Sequence, residues 1–512
     1  MASSSAPAKS QYQHFIPRFI LKNFAHPYKP LKSHSEGARK GGRRRRIGGY
    51  YPGDPMLHTI NLAGTTAEVI ESPVSRTFGQ TDMYRDFAGT TNQHYLEEQL
   101  SKLEARASSV IQKINQAFEA GNQEVRIIRS DRDILRKFLF IMKYRGSGAH
   151  ERFFHQDADS YTEDDKERIW EYMQRKGLRK PIDVWFDNIK AMLELKMDPE
   201  MRWMEWLMEH AYPDDAKWFI NHSQMFYLAL CTPSIQGDEF LLTENAYSVH
   251  EGPNSFSVNP HTNERAPTAY TELHVFSVIS PKLMIVLRSF ILPVMEEDAN
   301  QEIRTWREEM YRLNAVQHGG FRDMKSLLAE LPITKAENSY TRIVNGRTEL
   351  LDGEDGLHRL SDSFCFRFFP ISTMHTQRIN SIMLDNSYGI STIAFKSRLA
   401  ARKALDHYLR MPCEDDGVQC FKIVGQGPDD PRLLCLKKLE HAVAQMGSTT
   451  TAVYTEEKVL DNFEQLGRML AKNVPKEPDG IMKPYMELGY LLAMIDHVDV
   501  LTRSRWKSHK PA

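Results

Sequence analysis

Residues 274–287 read His-Val-Phe-Ser-Val-Ile-Ser-Pro-Lys-Leu-Met-Ile-Val-Leu. Two short apolar runs, His274–Ser280 and Leu283–Leu287, flank Pro281 and Lys282. Short runs rich in β-branched residues and bounded by Pro or polar residues are typical of buried strands. Phe240-Leu-Leu-Thr243 has the same character, and a further short strand is expected around Leu57–Leu62. These runs predict a small central sheet, and the polar, turn-rich residues 245–272 predict a long loop.

Helical periodicity prevails on both sides of these strands. One apolar stripe recurs at three- and four-residue steps and predicts an amphipathic helix that ends near Gly121. Its members are Leu96, Leu100, Leu103, Ala107, Val110, Ile111, Ile114 and Phe118. Ser130 and Asp133 have the spacing of a capping box and predict a second helix, joined by a short connection and packed antiparallel to the first. Further helices are expected at 151–215, 297–330, 395–410, 453–472 and 484–502. The predicted fold class is α+β, predominantly helical with a small central β-sheet.

Composition limits the class of protein. With 512 residues, 41% of them apolar and 26% charged, the chain can form the cores of two or three domains. No apolar run reaches the length of a membrane-spanning helix, and the first residues lack the apolar run of a secretory signal. The five cysteines include no C-x-x-C pair, which is typical of reduced thiols. We therefore expect a cytoplasmic protein that does not bind a membrane.

The positive charge is concentrated near the N-terminus. Residues 1–50 contain eleven Lys and Arg against the single acid Glu36, so they carry +10 and the remainder −11. Such a segment can contact the phosphates of a nucleic acid, although a solvated loop or a nuclear-import-like patch would look the same. The candidate phosphate-binding residues are Arg39, Lys40, Arg43, Arg44, Arg45 and Arg46.

The sequence lacks the common signatures of cofactor and metal sites. It contains no G-x-x-x-x-G-K-[ST] loop, no strand-linked G-x-G-x-x-G and no G-x-S-x-G elbow. No group of His and Cys has a recognised zinc spacing. We therefore predict no cofactor and no metal site.

Three polar groupings are candidates for a site. His14 and Arg18 are four residues apart, and on a helix they would form either a cationic pair for a phosphate or carboxylate or an ordinary polar face beside a buried aromatic cluster. Thr243-Glu244-Asn245 ends a predicted strand, where it is either a substrate-binding edge or a turn cap. The acids that follow Cys413 could hold a guanidinium or accept a proton from an amine, or simply form a solvated acidic turn.

Residues 14–25, His-Phe-Ile-Pro-Arg-Phe-Ile-Leu-Lys-Asn-Phe-Ala, resemble the opening of domain-of-unknown-function family 4238, with its His-x-x-Pro-x-x-x-Leu-x-x-Phe-Ala pattern. Asp82-Met-Tyr84, Phe240–Asn245 and Val278-Ile-Ser-Pro281 agree with later features of that family in the same order. The resemblance spans roughly residues 12–320, with a basic loop at 28–55. Residues 1–11 are then a disordered N-terminus, and 321–512 a mostly helical extension packed on this core.

The chain also resembles long, fungal-looking members of this family, the arginine-containing cyclodipeptide synthases. These enzymes take arginine and a second amino acid from aminoacyl-tRNA and join them into a diketopiperazine. The resemblance implies arginyl-tRNA and a second aminoacyl-tRNA as partners, and a role in secondary-metabolite biosynthesis. Their Asp-Asp-x-x-Glu motif corresponds best to Asp415, Asp416 and Gln419, with Gln in place of Glu.

The implied reaction agrees with the missing phosphate loops, because an aminoacyl-tRNA ester arrives already activated. The α-amine of one aminoacyl group would attack the ester carbonyl of the other, and a second, intramolecular attack would close the ring. An amine with a pKa of ~8 needs only a modest base, for which Asp416 and His14 are candidates. Arg18 and residues 243–245 would contact substrate. Two alternatives remain: a nuclease-like enzyme acting on nucleic acid with Mg²⁺, and a non-catalytic RNA-binding protein.

Overall fold

The computed structural model describes residues 10–30, 49–85, 93–146, 152–155, 157, 159–161, 165–258, 265–317, 325–413, 421–425 and 427–456. Within these ranges, none of the helices has both the length and the apolar character needed to cross a bilayer. Of the residues 1–11 predicted to be disordered, 1–9 lie outside the described part of the chain, and residues 10 and 11 precede β1.

The described residues form eleven α-helices and twenty strands, most of the strands short. The α-helices are α1 (Arg18–Phe24), α2 (Tyr95–Glu119), α3 (Arg129–Tyr144), α4 (Lys166–Lys176), α5 (Pro181–Glu194), α6 (Trp203–His210), α7 (Pro213–Gln224), α8 (Gln301–Gln317), α9 (Thr373–Asp385), α10 (Arg398–Arg410) and α11 (Pro431–Gln445). The strands are β1 (Tyr12–His14), β2 (His26–Pro27), β3 (Pro55–Asn61), β4 (Glu68–Pro73), β5 (Gly79–Thr81), β6 (Glu124–Ile128), β7 (Phe226–Pro233), β8 (Leu242–Thr243), β9 (His250–Glu251), β10 (Asn254–Val258), β11 (Arg265–Tyr270), β12 (His274–Ser280), β13 (Leu283–Ser289), β14 (Glu337–Asn338), β15 (Thr341–Val344), β16 (Arg347–Leu350), β17 (Ser363–Ile371), β18 (Thr392–Phe395), β19 (Ile423–Val424) and β20 (Thr455–Glu456).

The two strands predicted on either side of Pro281 are confirmed, and they form a hairpin inside a large sheet. Strands β12 and β13 pair antiparallel, and the sheet has the order β14-β17-β7-β13-β12-β9, with β6 also paired to β17. Strand β17 lies parallel to β7, whereas the other pairs are antiparallel. Because β13 is buried along its whole length, this sheet is central to the hydrophobic core.

A second sheet combines strands from the N-terminal part of the chain with two strands from much later in the sequence. Its five strands have the order β2-β3-β18-β8, and β4 pairs with β3. The mixed α and β content was predicted correctly, but the expected small central sheet was wrong. The sheets of seven and five strands recruit strands from far apart in the chain, and such long-range pairing leaves no local signal.

The predicted loop 245–272 was also wrong. It contains β9 and the hairpin β10–β11, which pair antiparallel through a register shift at Ser255 and Phe256. The hairpin forms a sheet of only two strands, and its sequence lacks the continuous apolar runs that predicted β12 and β13. Pro267 lies within β11, a position that Pro adopts in edge strands.

The two helices predicted after residue 95 are both present, but their connection differs. Helix α2 buries the predicted stripe from Leu96 to Ile114, as expected. The following residues form strand β6 rather than a short link, and α3 begins at Arg129 after Ile128. No side chain caps this helix, so the predicted cap by Ser130 was wrong. Pairing of β6 with β17 fixes the helix start instead.

Later predictions had mixed outcomes. Helix α10 confirms the helix expected near 395–410, and α8 lies within 297–330. The helix expected from residue 453 was wrong at its start, because 453–456 are extended and include β20. The rest of that helix, and the one expected at 484–502, lie beyond residue 456, the end of the described chain.

Candidate active site

His14 and Arg18 do not form the predicted helical pair. His14 ends β1, where it pairs with Gly79, and α1 begins only at Arg18, which is exposed. Pro17 favours extended backbone in the residue before it, so the helix cannot extend back to His14. The Nε2 atom of His14 lies 3.0 Å from the carbonyl oxygen of Val74 and donates to it. Burial, aided by the positive charge of Arg18, lowers the pKa of His14, so the ring is neutral at physiological pH.

Thr243, Glu244 and Asn245 hold a chain reversal together. The Thr243 hydroxyl donates to the Asn245 side-chain carbonyl (2.9 Å), and the Asn245 amide donates to the Asn386 carbonyl (2.8 Å). Glu244 Oε2 accepts hydrogen bonds of 2.7 Å from both the backbone amide and the hydroxyl of Ser391. Of the two interpretations of this strand end, these contacts favour the turn cap over a substrate-binding edge.

The remaining predicted site residues lie outside the described ranges. They are Asp415, Asp416 and Gln419 of the acidic motif, and Arg39, Lys40, Arg43, Arg44, Arg45 and Arg46 of the basic segment. An open groove runs along α10, and Pro412, one of its lining residues, lies three residues before Asp415 in the sequence. This groove is lined by Lys403, Asp406, His407, Arg410, Met411 and Pro412.

A different group of polar residues meets inside the fold. We name Lys143, Glu272, His250 and His222 the Lys143 cluster. Lys143 lies in the last turn of α3, His222 in the last turn of α7, His250 in β9 and Glu272 just before β12. The Lys143 ammonium forms an ion pair with Glu272 Oε1, and the same oxygen lies 3.8 Å from His250 Nδ1. Glu272 therefore stands between a fixed cation and an imidazole.

Gly252 makes this arrangement possible. Its φ is +150°, and a Cβ atom there would lie 1.9 Å from the carbonyl oxygen of Thr271. Only glycine permits this close approach of the two backbones. The approach places His250 beside Glu272, although the two residues are more than twenty positions apart in the sequence.

The cluster is largely shielded from solvent, and this burial affects the protonation states of its side chains. The side chains of Lys143 and Glu272 are 4% and 9% exposed. Burial opposes ionisation of Glu272, but the positive charge of Lys143 outweighs it and lowers the Glu272 pKa to about 2. Burial lowers the pKa of His222 to about 3, and the Lys143 charge acts in the same direction. The resting cluster is thus an ammonium, a carboxylate and neutral imidazoles.

Two imidazoles in the cluster have hydrogen-bonding capacity to spare. Both ring nitrogens of His222 and the Nε2 of His250 are buried and have no partner. Unsatisfied buried polar groups are uncommon in folded proteins, and they concentrate where a ligand or reaction needs them. The His250 side chain remains 22% exposed, and the exposed Tyr270 lies against it with a ring separation of 5.6 Å. His250 is therefore the most exposed member of the cluster.

A second polar network adjoins the first through α3. The hydroxyl of Tyr144 donates to Asp215 Oδ2 (2.6 Å), and the Asn188 amide donates to the same oxygen (2.7 Å). Arg152 forms ion pairs with Asp215 (3.1 Å) and with Asp165. Burial raises the pKa of Asp215 in spite of the Arg152 charge. The carboxylates of this network already bind a guanidinium, so the network fixes α3, α5 and α7 beside the cluster.

Chemically, the cluster combines a base with an electrophile. The free Nε2 of His250 can accept a proton while Glu272 stabilises the imidazolium that forms, as in the carboxylate–histidine pair of hydrolases. The Lys143 ammonium can stabilise an oxyanion in this low-dielectric setting. Because Lys143 occupies the position on Glu272 that a metal ion would take, the cluster does not suit a metal.

A buried Ser-His-Glu group elsewhere does not form a catalytic triad. The Ser326 hydroxyl and Glu251 Oε2 both lie beside the same nitrogen of His274, Nδ1, at 3.4 and 2.8 Å. A proton relay requires the serine and the acid on opposite ring nitrogens. In addition, His274 and Glu251 are completely buried. This group stabilises the fold where β9 meets β12.

The sequence reasoning missed every member of the Lys143 cluster. One local signal was available: Lys143 lies four residues after Leu139, in phase with the buried face of α3. A charged residue in an apolar stripe needs a buried partner. No local pattern identifies Glu272 as that partner, because it is 129 residues away in the chain.

The comparisons with known proteins agree with the resemblance seen in the N-terminal motif. No curated protein and no solved structure matches this sequence. The family model described as a protein of unknown function, DUF4238, matches residues 12–398, beyond the range covered by the sequence motifs. Since this match spans most of the chain, the protein belongs to the DUF4238 family.

Proposed function

We propose that this protein is a tRNA-dependent cyclodipeptide synthase, which condenses arginine and a second amino acid from aminoacyl-tRNAs into a diketopiperazine. The observation that carries the proposal is the His250–Glu272–Lys143 arrangement. It offers a neutral base with a free nitrogen next to a buried cation, as acyl transfer to an amine requires.

In the first step, His250 Nε2 takes the proton that the attacking α-amine loses as the new C–N bond forms. The Lys143 ammonium faces the negative oxygen of the tetrahedral intermediate. Collapse of this intermediate breaks the ester C–O bond, and His250 returns the proton to the ribose oxygen of the leaving tRNA. The second, intramolecular amine attack repeats the sequence and closes the ring. His250 Nδ1 must approach Glu272 more closely than its present 3.8 Å for this role.

The charge distribution supports an RNA-linked substrate. The +10 charge of residues 1–50 can contact the phosphates of a tRNA, and such contacts weaken as salt rises. In this proposal the acidic motif holds the arginyl guanidinium through Asp415 and Asp416. In this proposal the motif selects the amino acid, and the Lys143 cluster performs the transfer.

The test is expression in a bacterial or fungal host, followed by a mass search for cyclic dipeptides that contain arginine. We expect product from the wild type and a loss of at least ~100-fold, within the usual range for general-base removal, in His250→Gln and Glu272→Gln. Asp415→Ala and Asp416→Ala should also lose product without unfolding. His441→Gln, a change at an exposed histidine, is the matched control.

Three outcomes would count against the proposal. Folded wild-type protein that yields no such product in either host would contradict the synthase activity. Metal-dependent cleavage of tRNA in place of product would favour a nuclease. Tight tRNA binding that is unchanged by substitution of Asp415 and Asp416, again without product, would favour a non-catalytic RNA-binding protein.

A further inference from the structure

Three potential metal ligands converge on the five-stranded sheet, away from the Lys143 cluster. His58 in β3 lies directly opposite Glu71 in β4. His26 in β2 lies opposite Met56, two residues before His58 on β3. Since residues two apart on a strand share a face, all three side chains project from the same face of the sheet. The sequence predicted no metal site because these residues are brought together by strand pairing, without a local spacing motif.

The atoms of these side chains are close to coordination distance. One nitrogen of each histidine and one oxygen of Glu71 lie within 4.8 Å of one another, and His26 Nε2 lies 3.6 Å from Glu71 Oε1. A tetrahedral ion with bonds of about 2.1 Å places its ligand atoms about 3.4 Å apart. Side-chain rotations of about an ångström therefore complete the geometry. Among the residues that the structure describes, this is the single group of three such ligands found within that distance.

The tautomer of His26 is the second line of support. Its Nδ1 faces the carbonyl oxygen of Pro27 at 3.4 Å, and a carbonyl only accepts. The proton of the neutral ring therefore belongs on Nδ1, which leaves the lone pair of Nε2 directed toward the Glu71 carboxylate. Nε2 is buried and has no hydrogen-bond partner. Two acceptors that face each other need a proton or a metal ion between them, and metal-binding histidines commonly donate their other ring nitrogen to a backbone carbonyl.

The surroundings limit which cation fits. The ring of His26 stacks on that of His58 at 4.2 Å, and Phe395 covers the other side of His58 at 5.6 Å. Lys396 and Arg398 bring positive charge nearby, although Lys396 donates to the Ala25 carbonyl and Arg398 to that of Gln445. Two imidazoles and one carboxylate suit borderline metals such as Zn²⁺, whereas Mg²⁺ and Ca²⁺ prefer sites made only of oxygen.

We propose that His26, His58 and Glu71 bind one divalent transition-metal ion of the zinc type. The ion joins β2, β3 and β4 through their side chains. It retains open coordination positions for water or a substrate oxygen, because three protein ligands leave a tetrahedral site incomplete. This site does not depend on the proposed synthase activity.

The test uses the full-length protein after metal removal with a chelator and dialysis. Zn²⁺ is titrated in competition with a chromophoric chelator, and Co²⁺ is added separately as a spectroscopic probe of the ligand field. We expect one equivalent of Zn²⁺ per chain, a rise in Tm on binding, and no competition from Mg²⁺. His58→Gln, His26→Gln and Glu71→Gln should each weaken Zn²⁺ binding at least tenfold and abolish the rise in Tm.

The control is His441→Gln, which removes an exposed histidine outside the site and should bind Zn²⁺ like the wild type. Circular dichroism establishes that each variant is folded, and Glu71→Gln, at a half-exposed position, is the variant least able to disturb folding. Equal Zn²⁺ affinity in all four variants and the wild type would overturn the proposal. Absence of saturable binding in the folded wild type, or equal binding of Mg²⁺, would overturn it as well.

Discussion

Replacement of His222 by Phe should make the protein much less sensitive to mild acid. His222 is 3% exposed, and burial lowers its pKa to about 3, far below the 6.5 of a free histidine. Below about pH 6.5 the His222 imidazole therefore binds a proton in the unfolded chain but stays neutral in the folded protein. Stability is complete above that pH and falls as the pH decreases from about 6.5 toward 3.

The size of the effect follows from these values. Each pKa unit corresponds to about 1.4 kcal/mol, so the full difference amounts to about 5 kcal/mol. Between about pH 7.5 and pH 5 only the unfolded state titrates, and His222 alone lowers the free energy of unfolding by about 2 kcal/mol. Phenylalanine keeps the ring contacts with Phe140 and Phe226 but cannot bind the proton.

The measurement is the free energy of unfolding in urea at the two pH values, followed by tryptophan fluorescence. The absolute stability of His222→Phe is less informative. Relief of two unsatisfied nitrogens is worth about 1–3 kcal/mol each, but the larger ring can cost about 1–3 kcal/mol in packing. The difference between the two pH values removes both contributions, and other buried histidines contribute equally to wild type and variant. An unchanged pH difference in His222→Phe would refute the claim that this imidazole is buried and neutral.

Two further changes test the cluster and its turn. Lys143→Met should lower the free energy of unfolding by about 3–5 kcal/mol, because it leaves the Glu272 carboxylate buried without its partner. In urea unfolding, the double variant Lys143→Met/Glu272→Gln should recover much of this loss. If the double variant lost as much stability as the two single changes added together, the ion pair would be contradicted. Gly252→Ala should cost about 1–3 kcal/mol or more, since its Cβ would clash with the Thr271 carbonyl. Gly121→Ala is its control, because Gly121 also has a positive φ but open space around it. An equal loss of unfolding free energy in the two glycine variants would show that the close approach at Gly252 contributes nothing.

The elements that could be predicted from sequence are those whose signal is local. The stripe from Leu96 to Ile114 specifies α2 through its own spacing, and the apolar runs beside Pro281 specify β12 and β13. Strand β17 was missed although it is nearly as apolar, because it pairs with β6 and β7, which are more than a hundred residues away. The size of the sheet follows from such pairings and was underestimated for this reason.

The candidate site was harder to predict than the fold because its members are ordinary residues in ordinary local sequence. Lys143 differs from a surface lysine only in that Glu272 and the ring of Trp218, at 5.4 Å, enclose it. The reverse also holds for residues 243–245, whose polar side chains at a strand end suggested a substrate site but hydrogen-bond to Asn386 and Ser391. The sequence shows which residues have charged or polar side chains, but it does not show which of them come together in the folded protein.

The two proposals can be separated because they rest on different parts of the structure. The Lys143 cluster connects α3 and α7 to β9 and β12 of the seven-stranded sheet, whereas the metal ligands belong to β2, β3 and β4 of the other sheet. Substitutions at independent sites add in their effects, so Glu71→Gln and His250→Gln should act additively on stability. If Zn²⁺ serves only to join strands, Glu71→Gln should lower Tm while product formation per folded molecule stays unchanged. Loss of product in folded Glu71→Gln would instead mean that the ion takes part in the reaction, and the claim that the two sites act independently would then be wrong.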